Sequence, residues 1–173
     1  MIKEIQSIDI SVVIPAFNSE QFLSETISEI ISATNKSKYC YEIIIVVDGS
    51  RDKTWEMALE TSEKHHHVRC IKLLRNYGQH TANLCGFRHA RGSYIVTMDD
   101  DGQNPAHELE KFEKLIGSQH DLVIGKYLSK KHSLLRRFGS KFITFLSIKI
   151  FSINSELVLS NFRMIRRDVV DRI

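Results

Sequence analysis

Three consecutive aspartates, residues 99–101, follow the apolar run that ends at Met98. No lysine or arginine adjoins them, so their charges repel unless some are protonated, the side chains spread into water, or a cation lies among them. In extended backbone, residues i and i+2 point the same way, so Asp99 and Asp101 present paired carboxylates. Such hard oxygen ligands suit Mg²⁺ or Mn²⁺, which bind through one or two carboxylates plus substrate phosphates. The alternative is a solvated acidic turn before a helix that opens at Pro105.

Apolar runs of strand length alternate along the chain with segments of helical period. The runs predict strands over residues 10–17, 42–47, 68–74, 93–98 and 121–125. Helices are predicted from an N-cap at Ser19, from Asp52 to about residue 65, over residues 78–90, and from Pro105 to about residue 116. Strands separated by helices indicate an α/β fold with a mostly parallel sheet and helices on both faces.

Polar residues follow four of these strands, as "PAFN", "VDGSRD", "RNYGQH" and "MDDDGQN". Ligands of open α/β sheets bind at the carboxyl ends of the strands, so these four segments define one candidate site. The chain has no Gly-x-Gly-x-x-Gly after the first strand and no Gly-x-x-x-x-Gly-Lys-Ser/Thr segment. Both absences argue against a dinucleotide oxidoreductase and a P-loop NTPase.

Composition narrows the class of protein. The 173 residues are 42% apolar, enough for the core of one domain, so we expect a single domain over residues 1–173. A net charge of +3 is too mild to indicate nucleic acid as a partner. Three cysteines without metal-ligand spacing fit reduced thiols of the cytosol. The first residues lack a secretory signal, and no run reaches the roughly 20 apolar residues of a membrane span.

Five segments resemble, in order and spacing, the catalytic domain of the family 2 glycosyltransferases, which have the GT-A fold. They are "SVVIPAFN", "VVDGSRDKT", "LRNYGQHTAN" with the later "GFRHARG", "MDDDGQNP" and "SNFRMIRRDVV". Within the family the similarity is greatest to the polyprenyl-phosphate glycosyltransferases of the dolichyl-phosphate and undecaprenyl-phosphate type. The resemblance implies inverting transfer of a sugar from a UDP-, GDP- or dTDP-linked donor to a polyprenyl phosphate, with a role in cell-wall or polysaccharide synthesis.

The resemblance also implies roles for individual residues. Asp99 and Asp101 match the metal-binding Asp-x-Asp motif, and Gln103 matches a glutamine that assists at the metal, Mg²⁺ or Mn²⁺. Asp48 matches an acidic position that contacts the base or ribose of the nucleotide, although Val47 departs from the usual polar pair. The remaining positions that match nucleotide-sugar contacts are Pro15, Ala16, Asn18, Arg75, Asn76, Gly78, Asp99 and Asp100.

Two features of the sequence indicate the acceptor: the lack of a general base at the expected position, and a run of positively charged residues. A sugar hydroxyl needs a general base, whereas a lipid phosphate is already an anion. Leu157 stands where the family often has an aspartate, which favours a phosphate acceptor or places the base elsewhere. Residues 126–141 carry six cations without an acid, and an apolar segment, 142–153, follows. We therefore expect an acceptor-side segment over about residues 126–155 that meets anionic lipid at the cytoplasmic face of a membrane. Residues expected to meet phosphate are Arg136, Arg137, Arg163 and Arg166.

Two other functions stay open from the sequence. A family 2 enzyme that acts on a glycan hydroxyl would share every donor-side motif. A non-catalytic member of the fold would bind nucleotide without turnover, and Val47 and Leu157 are the departures that keep this alternative open. The sequence ends at "DVVDRI", where related proteins often continue into membrane-associated helices. Two interpretations follow from this, a fragment of a longer protein or a soluble variant.

Overall fold

A six-stranded, mostly parallel sheet organises residues 7–125 and 160–172, the part of the chain that the computed structural model describes. The strands are β1 (Ile10–Ala16), β2 (Tyr41–Asp48), β3 (Val68–Leu73), β4 (Tyr94–Thr97), β5 (Leu122–Ile124) and β6 (Arg163–Arg166). Their order in the sheet is β3-β2-β1-β4-β6-β5. The helices are α1 (Leu23–Thr34), α2 (Thr54–Lys64), α3 (Gln79–His89), α4 (Leu109–Glu113) and α5 (Arg167–Val170), with a 3₁₀ turn at Ala106–Glu108.

The two central strands are buried along their whole length. β1 and β2 pair in parallel from Ile10 opposite Tyr41 to Ala16 opposite Val47, and every residue of both strands is buried. Strands that are covered on both faces need continuous apolar runs rather than an alternating pattern, and this is what their sequences supply. One face packs against residues of α3 and α5 in a cluster of Val13, Ile44, Val46, Ala82, Phe87, Ala90, Ile95, Ile165 and Val170.

The α/β architecture predicted from the sequence is therefore confirmed, but the sixth strand was not predicted. β6 lies antiparallel to β4, with Tyr94 opposite Arg166 and Thr97 opposite Arg163. Its short sequence "RMIR" has only two apolar residues, both buried, between two arginines. The antiparallel direction places Arg163 at the carboxyl end of β4 and Arg166 at the opposite end of that strand.

Two predicted helix boundaries shift. α1 begins at Leu23 rather than next to Ser19, because the Ser19 hydroxyl, the group that would cap the helix, donates to Asp100 Oδ2 instead. The helix predicted from Pro105 to about residue 116 starts as the 3₁₀ turn, and its α-helical part ends at Glu113.

The chain divides into two compact units, residues 1–123 with 161–173 and residues 124–160. The basic run with Arg136 and Arg137, the apolar segment 142–153 and Leu157 belong to the second unit and lie outside the described residues. Among the described helices, none has the length and apolar character needed to span a bilayer.

Candidate active site

A cavity of about 230 Å³ lies at the carboxyl ends of β1 and β2. Five of the predicted nucleotide-sugar residues line it: Pro15, Ala16, Asp48, Gly78 and Asp100. Asn76, in the third loop that matches nucleotide contacts, lines it as well, whereas two further lining residues, Phe17 and Gln79, were not singled out from the sequence. Loops that follow three parallel strands thus converge at one edge of the sheet, where ligands of open α/β folds bind.

Asp48 holds the loop that follows β3. Its side chain is only 3% exposed, and its two carboxylate oxygens accept hydrogen bonds from the main-chain N–H groups of Tyr77 and Gly78, both at 2.8 Å. A carboxylate that receives two main-chain donors is fixed in orientation. Asp48 therefore shapes the cavity wall through loop 75–78 in addition to lining the cavity.

Gly49 allows the same loop to come close. Its φ of +66° lies in the left-handed region, and a Cβ placed there would lie 2.7 Å from the Cα of Arg75 and closer still to the next two main-chain atoms. Only glycine combines this φ with so close an approach. The "DGS" segment is therefore a packing surface for loop 75–78.

Asn18 fastens the first loop to the second. Its main-chain N–H donates to Ser50 Oγ at 3.0 Å, and its side-chain Oδ1 accepts from the N–H of Arg51 at 2.9 Å. Asn18 adopts a positive φ of 51°, a conformation that asparagine tolerates better than most residues. The structure thus places Asn18 at the site as a brace between loops, outside the lining of the cavity.

Arg75 is exposed, and its guanidinium carbon lies 4.9 Å from the centroid of the Tyr77 ring. It is absent from the cavity lining. The distance is within the range of cation–π contact. Arg75 therefore contacts Tyr77 within its own loop and lies outside the lining of the cavity.

Asp100 closes the cavity on the β4 side. Its Oδ2 accepts from the N–H of Phe17 at 3.2 Å and from the Ser19 hydroxyl. Burial raises the pKa of Asp100, and the neighbouring Asp101 charge adds to the increase, while the hydrogen bonds from Ser19 and Phe17 oppose it. Asp100 thus ties the "DDD" segment to the loop after β1.

Asp99 and Asp101 each use one oxygen within the protein. Asp99 Oδ1 accepts from Gln79 Nε2 at 2.8 Å and from Asn161 Nδ2 at 2.9 Å. Asp101 is exposed, and its Oδ1 accepts from the main-chain N–H of Gln103 at 3.0 Å. Gln103 is exposed as well. In the hydrogen bonds of residues 7–125 and 160–172, the second oxygen of either carboxylate has no donor.

This donor set fits a hard divalent cation that is shared with a phosphate ligand. Across the described residues, no three acidic, histidine or cysteine side chains group into a metal cage. Mg²⁺ and Mn²⁺ do not require one in phosphate chemistry, because one or two carboxylates together with substrate phosphates and water complete the coordination. Asp99 and Asp101, with Gln103 beside them, are the residues that would hold such an ion.

The two predicted arginines of the last segment separate. Arg163 is half-buried opposite Thr97, and its Nε is buried with no hydrogen-bond partner among the described residues. Arg166 lies at the other end of β4, where it pairs with Asp121 at 3.1 Å and with Asp168. The antiparallel course of β6 therefore brings Arg163, and not Arg166, to the carboxyl edge of β4.

Sequence reasoning missed Gln79 and Asn161, the two amide donors to Asp99. Gln79 begins α3 and lies inside the polar "RNYGQH" segment, whose position after a strand was a usable signal. Asn161 lies in "SNFR", two residues before Arg163. Its contact with Asp99 could not be predicted, because it depends on the pairing of β6 with β4.

The glycosyl transferase family 2 model matches residues 11–173, and the chain belongs to this family. Two relatives carry the name undecaprenyl-phosphate 4-deoxy-4-formamido-L-arabinose transferase. The protein from Photorhabdus laumondii is 37% identical over 135 residues, which are 78% of this chain and 42% of the relative. The protein from Shewanella sediminis is 38% identical over 143 residues, 82% of this chain and 43% of the relative. The chain therefore spans about two fifths of the length of these relatives.

Solved structures share the fold at low sequence identity. The complex of glucosyl-3-phosphoglycerate synthase from Mycobacterium tuberculosis with Mn²⁺, UDP and glucosyl-3-phosphoglycerate has a TM-score of 0.71 at 18% identity, over 93% of this chain and 57% of that chain. The complex of Staphylococcus aureus TarS 1–349 with UDP has a TM-score of 0.63 at 19% identity, over 95% of this chain and 48% of that chain. These similarities concern the fold, and they confirm the expected GT-A architecture.

Proposed function

We propose that the protein transfers a sugar from a nucleoside-diphosphate sugar to a polyprenyl phosphate, with inversion at the transferred carbon. The observation that carries the proposal is the cavity at the strand ends, which Asp48, Gly78 and Asp100 line directly beside the carboxylates of Asp99 and Asp101. Membership of glycosyl transferase family 2 and the names of the two relatives support the same reaction.

On the donor side, Asp48 and loop 75–78 form the wall against which the nucleotide binds. The hydrogen bonds from Tyr77 and Gly78 to Asp48 hold this wall in place before the ligand arrives. Asp99 and Asp101, with Gln103 beside them, would hold Mg²⁺ or Mn²⁺. When bound, the cation neutralises the diphosphate leaving group as a Lewis acid. Asp100 lines the same cavity and also ties this segment to the loop after β1 through its hydrogen bonds from Phe17 and Ser19.

On the acceptor side, an oxygen of the lipid phosphate attacks the anomeric carbon while the bond from that carbon to the diphosphate breaks. The leaving group departs as nucleoside diphosphate, and the new bond forms on the opposite face of the sugar. A phosphate nucleophile is already an anion, so no general base is needed. Arg163 is the arginine that could hold this phosphate, because it reaches the carboxyl edge of β4.

The lipid acceptor suggests where the protein works. A polyprenyl phosphate resides in a membrane, and the six cations of residues 126–141 suit an anionic surface. We therefore place the protein at the cytoplasmic face of a membrane. Arg136 and Arg137 are the additional residues proposed to meet lipid phosphate.

The experiment is sugar transfer from a panel of UDP-, GDP- and dTDP-linked donors to undecaprenyl phosphate and, separately, to a soluble glycan. We expect transfer to the lipid phosphate from one class of donor, loss of transfer in excess chelator, and at least a hundredfold lower activity in the Asp101→Asn variant. Transfer to the glycan alone would instead support a hydroxyl acceptor. Nucleotide binding without release of nucleoside diphosphate from any donor would point to a non-catalytic member of the fold.

A further inference from the structure

Asp99 has a neutral partner, Asn161, which lies two residues before β6 begins. Thr97 lies opposite Arg163 in the antiparallel pairing of β4 with β6. If the two segments continue in this register, Asp99, two residues after Thr97, faces Asn161, two residues before Arg163. Side chains directly opposite in an antiparallel pair are close enough to contact. The observed hydrogen bond of 2.9 Å from Asn161 Nδ2 to Asp99 Oδ1 agrees with this placement.

Three contacts fix the position and the orientation of Asn161. Its Oδ1 accepts from Asn83 Nδ2 at 2.8 Å, and its main-chain carbonyl accepts from the Thr97 hydroxyl. Asn83 is itself 2% exposed on α3. Because Asp99 as a carboxylate only accepts and Asn83 donates its Nδ2, the Asn161 amide satisfies both partners in one orientation.

The same oxygen of Asp99 receives a second amide donor. Gln79 Nε2 donates to Oδ1 at 2.8 Å from the first residue of α3. Two donors on one oxygen hold the carboxylate plane and leave Oδ2 as the free ligand atom within residues 7–125 and 160–172. Because both donors are neutral amides, they orient the carboxylate without neutralising its negative charge. A lysine or arginine at the same place would neutralise that charge and repel the cation.

We infer that Asn161 is a positioning residue for the metal site: with Gln79 it orients Asp99 so that the second carboxylate oxygen faces the cation. The inference rests on the proposed function, because it assumes that Asp99 is a metal ligand. It adds that the affinity for metal depends on a residue of the "SNFR" segment, which is 62 positions from Asp99 in the chain.

The test is Mn²⁺ titration of the whole chain, in which the loss of the electron paramagnetic resonance signal of free Mn²⁺ measures binding. Saturating UDP is present in one arm and saturating GDP in the other. Outer partners of metal ligands typically contribute about 10- to 100-fold in affinity. We therefore expect Asn161→Ala to weaken Mn²⁺ binding at least tenfold. Gln79→Ala changes an exposed residue, so it keeps the fold while removing the other donor, and it should weaken binding as well.

Two controls separate positioning from general damage. Asn35→Ala makes the same chemical change at an exposed residue that follows α1, and its Mn²⁺ affinity should equal that of the wild type. Thr97→Val removes the hydroxyl that fastens the main chain of Asn161 but keeps the amide, which Asn83 and Asp99 still hold, so its Mn²⁺ affinity should fall by clearly less than that of Asn161→Ala. A thermal melt of each variant confirms that it is folded.

The possible outcomes are distinct. Unchanged Mn²⁺ affinity in folded Asn161→Ala would overturn the inference while leaving the metal site intact. An equal loss in Thr97→Val would also overturn it, since anchoring of the segment rather than the amide would then be responsible. If the wild type binds Mn²⁺ in neither the UDP arm nor the GDP arm, the proposed metal site is overturned, and the inference with it.

Discussion

Replacement of Gly49 by alanine should destabilise the protein and spoil the cavity at the same time. The φ of +66° disfavours any residue with a Cβ by about 1 kcal/mol. The added methyl would lie 2.7 Å from the Arg75 Cα, with two further main-chain atoms nearer, whereas carbon atoms in contact normally stay about 3.5–4.0 Å apart. Overpacking of this kind typically costs about 1–3 kcal/mol. The expected loss in the free energy of unfolding is therefore about 2–4 kcal/mol.

The displaced atoms belong to the loop that Asp48 holds. If loop 75–78 moves away from the new methyl, the two 2.8 Å hydrogen bonds from Tyr77 and Gly78 to Asp48 must lengthen or break. Asp48 and Gly78 both line the cavity. Nucleotide affinity should consequently fall by more than the loss of stability alone would produce.

Urea unfolding followed by circular dichroism measures the first effect, and calorimetric titration with UDP and with GDP measures the second. Gly117→Ala is the matched control, because Gly117 has a φ of +81° and a methyl group added to it would meet nothing within 4 Å. It should lose only the backbone part, about 1 kcal/mol, and keep its nucleotide affinity. The reasoning is refuted if Gly49→Ala is no less stable than Gly117→Ala.

Three further variants test other contacts. Glu42→Ala removes a buried carboxylate that pairs with Arg69 at 2.7 Å, so urea unfolding should show a loss of about 3 kcal/mol; a loss below about 1 kcal/mol would contradict this. Burial and the hydrogen bond to Glu113 raise the pKa of Tyr41, so Tyr41→Phe should cost about 1 kcal/mol at pH 8. That difference should shrink above about pH 10, where tyrosine ionises in the unfolded chain but not in the folded one, and growth with pH would argue against it. Asp48→Asn keeps only one acceptor for two main-chain donors, so nucleotide affinity in calorimetry should fall about tenfold, and unchanged affinity in the folded variant would remove Asp48 from the site.

Burial explains which strands the sequence could predict. β1 and β2 are covered on both faces, and their apolar runs are unmistakable for that reason. β6 shows no comparable signal, because arginines stand at both of its ends and only Met164 and Ile165 are buried. Its existence depends on pairing with β4, a contact between distant parts of the chain that local pattern does not encode.

The candidate site, too, could be predicted only in part from the sequence. The polar strand ends predicted Asp48, Gly78 and Asp100 in one place, and they line one cavity. The actual partners of these residues were beyond prediction, because they depend on loop conformation. Asp48 meets main-chain N–H groups 29 and 30 positions away. Arg166 lies at the opposite end of β4 from Arg163, because β6 runs antiparallel to that strand.

The place of β6 in the sheet has a consequence for how this family can diversify. β5 and β6 are neighbours in the sheet, although residues 125–162 separate them in sequence. The chain thus departs from one strand and returns to the adjacent one, so a longer or shorter insert at this point leaves the hydrogen-bonded ladder of the other strands unchanged. Under the proposed function, evolution or a protein engineer could exchange residues 125–160 to alter acceptor choice while Asn161 stays in place beside Asp99.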